Sequence, residues 1–287
     1  MIATSTDALY LFDKPTGRSS FDVVRAATRV LGTRRVGHTG TLDPFASGLL
    51  IVLAGAGTRL IPYVPDEPKV YRATIAFGHE TTTDDLTGAV TATAPAPLPA
   101  QVAAVLPRLT GNIQQIPPAY SAKKVGGTRA YHLARCGHEP ALRAAEVRVD
   151  SWEVLGWDAA TLHVRVSCGR GTYIRALARD LGRLVKSAAH CSALRRERCG
   201  DFDVADATSW EDLQRGELEP RPLADALGAI ERVALPEDQA ARARHGMRIP
   251  ATSGAARVAL FFPDGRLLGL ARRDGDTWHP HLVIPHA

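Results

Sequence analysis

Three stretches in the middle of the chain, KVYRATIAFG (69–78), EVRVDSWEVLGW (146–157) and TLHVRVSC (161–168), restrict the fold more than any other feature. In each, apolar and polar side chains alternate, the period of a strand with one buried face. The middle of the chain is therefore strand-rich. The periodicity then changes to that of a helix starting at Thr172, with Ile174, Leu177, Ala178, Leu181, Leu184 and Val185 on one side. Arg175, Arg179, Arg183 and Lys186 fall on the other side, where Arg179 and Arg183 read as a solvated face.

Upstream, ALYLFD (8–13) reads as a short strand stopped by the turn Lys14-Pro15-Thr16-Gly17. Ser19 or Ser20 then caps a helix with Phe21, Val24, Thr28 and Leu31 on one face, closed by Gly32. ATAPAPLPA (92–100) is a hinge ahead of a helix near 101–109, and 113–137 reads as an excursion from the core. A second unit begins near residue 232: a short helix between Pro236 and Gly246, then a hairpin turning at Asp264-Gly265. This is a mixed α+β arrangement with a small β-rich C-terminal part.

A chain of 287 residues can bury a core without disulfides or metal. Its four cysteines form no C-x-x-C pair, and no metal-ligand cluster is spaced along it. That pattern, with no basic-then-apolar start, points to a cytoplasmic protein. The longest apolar stretch, Leu49 to Ala56, is too short to span a bilayer, so no membrane partner is expected.

The chemistry lies in GHTGTLDPFASGLLIVLAGAGTR (37–59). Taken alone, Asp43-Pro44 is a helix start, with Asp as N-cap and Pro at the first helical position. The glycines match neither G-K-[ST] nor G-x-G-x-x-G, which argues against a nucleotide loop. GHTGTLDPFASGLL, however, resembles the signature of the TruB family of tRNA pseudouridine synthases. KVYRATIAFG, TTTDDLTG, IPPAYSAKKVGGTRAYHLARCG and CGRGTYIRALARDLG resemble its further motifs, in the family's order. The similarity spans roughly 9–200, and the tail is similar to the PUA-like module of bacterial members. Gly169-Arg170 stands where the family often has a small residue and Lys, which keeps the charge.

The resemblance implies a pseudouridine synthase core of largely antiparallel sheet over 1–231, an RNA-gripping insertion at about 113–137, and a PUA-like domain over 232–287. It implies isomerisation of one uridine (position 55) in the T loop of tRNA, without cofactor or guide RNA, and a monomer is the expected state. Asp43 is the implied nucleophile, and Arg175 its partner. A desolvated carboxylate takes up a proton unless a cation stands beside it. Tyr71 is implied to stack on the target base and Tyr173 to lie beside the reacting ring. Implied substrate contacts are His38, which stacks into the T loop, with Lys14, Lys124, Tyr131 and Leu194, the last walling the uracil pocket.

Charge agrees with an RNA substrate. Residues 165–198 hold nine Lys/Arg against two acids, a surplus larger than the whole-chain +5. The field is therefore expected to concentrate beside the site, with Lys123, Lys124, Arg129 and Arg135 extending it. Basic residues interleaved with Tyr120, Tyr131 and Tyr173 favour RNA.

Overall fold

In a computed structural model, which describes residues 6–121, 123–138 and 140–285, the alternating stretches are strands of one large sheet. In chain order the first half forms β1 (Leu9–Lys14), α1 (Ser20–Leu31), β2 (Val36–His38), β3 (Ser47–Ala54), β4 (Lys69–Phe77), β5 (His79–Thr81), β6 (Val90–Thr93), α2 (Pro99–Val105) and β7 (Gly111–Gln115). The excursion folds as β8 (Lys124–Val125), β9 (Thr128–Arg129) and α3 (Ala130–Arg135). Then come β10 (Ala145–Asp158), β11 (Thr161–Cys168), α4 (Ile174–Leu184), β12 (Ala189–Cys199), β13 (Phe202–Asp203) and α5 (Trp210–Arg215). The C-terminal part holds β14 (Glu231–Ala234), α6 (Glu237–Ala243), β15 (Ile249–Pro250), β16 (Arg257–Phe261), β17 (Leu267–Asp274) and β18 (Thr277–Val283).

The nine-stranded sheet runs β1-β3-β12-β4-β11-β10-β7, with β2 beside β3 and β13 beside β12. Every pairing is antiparallel except β3 with β12. That parallel contact brings Ser47 and Gly48 level with Arg195 and Arg196. A Cβ on Gly48 would stand 2.3 Å from the Arg196 carbonyl oxygen, and its φ of +107° is one that side chains rarely adopt, so glycine is required here. The C-terminal strands form a separate five-stranded sheet, β14-β16-β17-β18-β15.

The apolar run Leu49–Ala54 is a strand buried on both faces. Leu49, Ile51 and Leu53 join Leu9 and Leu11 in one core, while Leu50, Val52 and Ala54 join Tyr10 and Phe12 in another. Successive side chains point to opposite faces, so one strand serves two cores. The first core also contains Phe261, Leu267, Leu282 and Ile284 of the C-terminal sheet. The second is closed by α1. A third core packs Tyr71, Ile75, Val164 and Val166 against Ile174, Leu177, Ala178 and Leu181 of α4.

Two sequence expectations are corrected. The capping of α1 is as expected: Ser19 accepts from the Asp22 backbone, and Gly32 ends the helix in the left-handed conformation. Its buried face is instead Ser20, Val23, Ala26, Ala27 and Leu31, and Phe21 is 67% exposed. With Val23, Ala26, Ala27 and Leu31 packed into the core of Tyr10 and Phe12, the helical period puts Phe21 on the outer side. Nor does Asp43-Pro44 start a helix. The Ala46 backbone N–H donates to the Asp43 carbonyl in a tight turn that leads directly into β3.

Candidate active site

Asp43 lies on the turn between β2 and β3, and Arg175 on the first turn of α4, 132 residues away in sequence. The structure joins them. Arg175 Nε donates to Asp43 Oδ2 at 2.9 Å, while Nη1 and Nη2 donate to the carbonyls of Thr83 (2.7 Å) and Tyr120 (3.0 Å). Asp85 Oδ2 stands 3.5 Å from Nη1. The Arg175 side chain is 3% exposed and that of Asp43 35%. A guanidinium with its donors fixed by two carbonyls has one orientation left for the carboxylate, which stays open to an incoming group.

Two cavities meet at this pair. A smaller one of about 230 Å³ is walled by Tyr71, Tyr173, Leu194, Lys69 and Arg196 as well as Asp43 and Arg175. A larger one of about 640 Å³ is lined by Phe21, His38, Arg129, Tyr131 and Arg135 and shares Asp43 and Arg175 with the first. The carboxylate thus sits between a one-ring chamber and a wider groove.

Tyr71 reaches the chamber from β4, Leu194 and Arg196 from β12, and Tyr173 from the N-cap of α4. Burial pushes the Tyr71 phenol up to about 12. It also raises that of Tyr173, aided by the Asp43 charge. Both phenols are therefore neutral hydrogen-bonding groups at physiological pH. Tyr173 is anchored through its backbone, whose N–H donates to Gln115 Oε1 (2.8 Å) and whose carbonyl accepts from Gln115 Nε2 (3.1 Å).

His38 is in the larger cavity, with a buried Nδ1 that has no hydrogen-bond partner among the described residues. Burial, then the Arg196 charge, lowers its pKa, which favours the neutral ring. Tyr131 lines the same cavity, its ring 4.2 Å from that of His132. Lys124 is exposed on the small hairpin and lines neither cavity.

Lys14, expected as a substrate contact, is placed beneath the Asp43 turn. It is fully buried, and its ammonium donates to the carbonyls of Pro15 (2.9 Å), Arg18 (2.6 Å) and Ala46. Burial pulls its pKa down to about 8. It fastens the turn that follows β1 to the turn that carries Asp43, and lines neither cavity.

Arg196 is the site residue that sequence reasoning did not single out. It is 2% exposed and donates to the carbonyls of Leu49 (2.8 Å) and Gly40 (3.1 Å) on either side of the Asp43 turn. In the sequence it was one of the nine basic residues in 165–198. The alternation along β12 puts it on the same face as Leu194.

The expected field of free cations is also corrected. Arg165 pairs with Glu153 and Glu197, Arg170 with Asp66 and Glu67, Arg179 with Asp84 and Asp180, Arg183 with Glu80, and Arg195 with Asp13. Most of these acids come from distant sequence, so the local surplus of positive charge is largely neutralised. Arg179, expected on a solvated face, is 8% exposed. Among the described residues no group of His, Cys, Asp and Glu is gathered to hold a metal ion, and no helix is long and apolar enough to cross a membrane.

Comparison with known proteins places this geometry in a family. Residues 28–174 match the TruB family pseudouridylate synthase N-terminal domain. Residues 175–241 match a tRNA pseudouridylate synthase B C-terminal domain, and 230–285 the tRNA pseudouridine synthase II C-terminal region. The tRNA pseudouridine synthase B of Thermobifida fusca is 44% identical across 97% of this chain and 98% of its own. That of Aromatoleum aromaticum is 40% identical across 97% and 92%. That of Mycobacterium tuberculosis is 39% identical across 96% and 95%. Among solved structures, a chain of a Cbf5-Nop10-Gar1 complex is similar with a TM-score of 0.72 at 23% identity, covering 98% of this chain and 85% of that one. A chain of an H/ACA ribonucleoprotein bound to a substrate RNA containing 2′-deoxyuridine gives 0.72 at 21%, covering 98% and 86%. At those identities the likeness concerns the fold. The full-length relatives and the matched domains decide the question: the chain belongs to the TruB family of pseudouridylate synthases.

Proposed function

We propose that this protein isomerises the uridine at position 55 in the T loop of tRNA, with Asp43 as nucleophile, and needs neither cofactor nor guide RNA. The observation that carries the reading is the Asp43 carboxylate, held by Arg175 where the 230 Å³ chamber opens into the wider groove. A folded loop fills the groove, and its target base is extruded into the chamber, at a cost of a few kcal/mol that stacking and phosphate contacts offset. Tyr71 and Leu194 bracket the ring. Tyr173 keeps its phenolic proton beside it.

In the reaction the N1–C1′ bond breaks, the base turns, and a C5–C1′ bond forms. C5 gives up its proton and N1 ends protonated, so the atoms balance without an oxidant or carrier. Asp43 engages the nucleotide covalently while the base is detached, and Arg175 orients it and supports its charge. Residues 1–231 form the catalytic domain, with the 113–137 insertion gripping RNA through Tyr131 and Lys124. Residues 232–287 act as a PUA-like RNA-binding module. The enzyme works as a cytoplasmic monomer.

The test is to incubate the isolated protein with an unguided T stem-loop transcript, map pseudouridine by mass spectrometry, and follow tritium release from C5-labelled uridine. Conversion at the T-loop uridine by the wild type, and its loss in Asp43→Asn with RNA binding kept within a few-fold, is the expected result. An unmodified transcript, or substantial turnover by Asp43→Asn, overturns the reading.

A further inference from the structure

Phe21 is a large aromatic side chain, 67% exposed, on the wall of the groove that ends at the proposed nucleophile. A lone exposed apolar residue is ordinary on a protein surface. Its surroundings set this one apart. The same groove carries Tyr131, Arg129 and Arg135 from the insertion, so α1 contributes one aromatic and the insertion another. Each has a guanidinium beside its ring: Arg25 at 5.8 Å from the Phe21 centroid, Arg135 at 5.6 Å from that of Tyr131.

In the capping box of α1 Ser19 accepts from the Asp22 backbone, and the Asp22 carboxylate accepts from Ser19 and pairs with Arg25. The Asp22–Arg25 pair leaves little net charge at this end of the helix to draw a phosphate. What this wall offers a nucleic acid is therefore the flat face of a ring, and bases stack on such a face whatever their sequence.

We propose that Phe21 is a substrate-positioning residue whose ring stacks on an unpaired nucleobase of the RNA loop in the groove that Tyr131 also lines. The inference rests on the RNA-loop reading above. It adds a base platform on α1 where the sequence pattern had placed a core residue. Stacking on Phe21 holds the loop while the target base enters the chamber, and so it acts on binding rather than on the chemical step.

The test compares Phe21→Ala, Phe21→Leu and Phe21→Tyr with the wild type on a T stem-loop transcript. Binding is measured in the Asp43→Asn background and turnover in the active protein. Because the side chain is largely exposed, thermal unfolding of all three variants should match the parent. Phe21→Ala is expected to weaken binding and raise KM by roughly five- to a hundredfold, the range of one lost base stack. Its kcat should stay within about twofold. Phe21→Tyr should restore binding and Phe21→Leu should not. Unchanged binding in Phe21→Ala, or full rescue by Leu, overturns the proposal. Binding is read without chemistry, so a wild type that binds but fails to isomerise the transcript would sink the functional reading and still decide this one.

Discussion

Tyr71 and Arg196 are register partners on β4 and β12, which sets a buried phenol beside a buried guanidinium at the wall of the chamber that Asp43 faces. The positive charge only partly offsets burial, and the Tyr71 pKa rises to about 12.

Tyr71→Phe should therefore alter alkaline stability as well as catalysis. The unfolded phenol ionises near 10 and the folded one near 12. Its contribution is complete below pH 10 and is lost as pH rises toward 12, because the unfolded chain sheds the proton first. Chemical denaturation at pH 8 and at about pH 11 should show a smaller alkaline loss for the variant than for the wild type. Part of the loss persists, since Tyr10 is also raised to about 12. RNA binding should be retained, because the ring face remains, while a fall of about 10²-fold or more in kcat would assign the hydroxyl a role in catalysis.

Arg175→Lys keeps the charge but cannot hold Asp43, the Thr83 carbonyl and the Tyr120 carbonyl together, because an ammonium lacks the planar fork. Single-turnover rates are expected to fall by about 10²-fold or more, in line with misplacement of a reacting group by about 1 Å. Binding measured by filter retention should stay within a few-fold. An unimpaired rate would remove Arg175 from its orienting role.

Arg179 and Arg183 sit one turn apart on α4 and should respond differently. Arg179 is buried against Asp84, and Arg179→Ala leaves that carboxylate without its partner, at a cost of about 3–5 kcal/mol. Arg183 is 59% exposed but its partner Glu80 only 11%, so Arg183→Ala strands a carboxylate that water reaches only in part and should cost less, about 1–3 kcal/mol. Urea denaturation of the two variants measures the contrast, and equal losses would contradict it.

Lys14→Met leaves three carbonyls without the donor that joins them. Each buried acceptor left unpaired costs about 1–3 kcal/mol, so Tm should drop by several degrees or more. Turnover should fall further than RNA affinity, because the turn carrying Asp43 is released. A variant with reduced affinity, full kcat and unchanged Tm would return Lys14 to the substrate-contact role.

These outcomes separate what the sequence made legible from what it did not. The strands at 69–77 and 161–168, both caps of α1 and the C-terminal hairpin were readable because each depends on neighbouring residues. Asp43, Tyr71, Tyr173 and Arg175 were readable from motif resemblance, and the structure brings all four to one chamber. The buried side of α1 was misjudged because Ala26 and Ala27 look weakly apolar yet permit the closest packing. The burial of Lys14 and Arg196, and the acids that pair with the basic run, depend on contacts across most of the chain. No local pattern encodes them.

The core shared by Leu9, Leu11, Leu49 and Ile51 with Phe261, Leu267, Leu282 and Ile284 makes the C-terminal sheet part of the foundations of the nine-stranded sheet. Removing it would uncover apolar surface beneath β1 and β3, the second of which follows the Asp43 turn, and the shortened chain would aggregate rather than simply lose RNA affinity. Whether the C-terminal part adds to RNA affinity is therefore to be read from charge reversals at exposed Arg242 and Arg244, which leave that foundation intact.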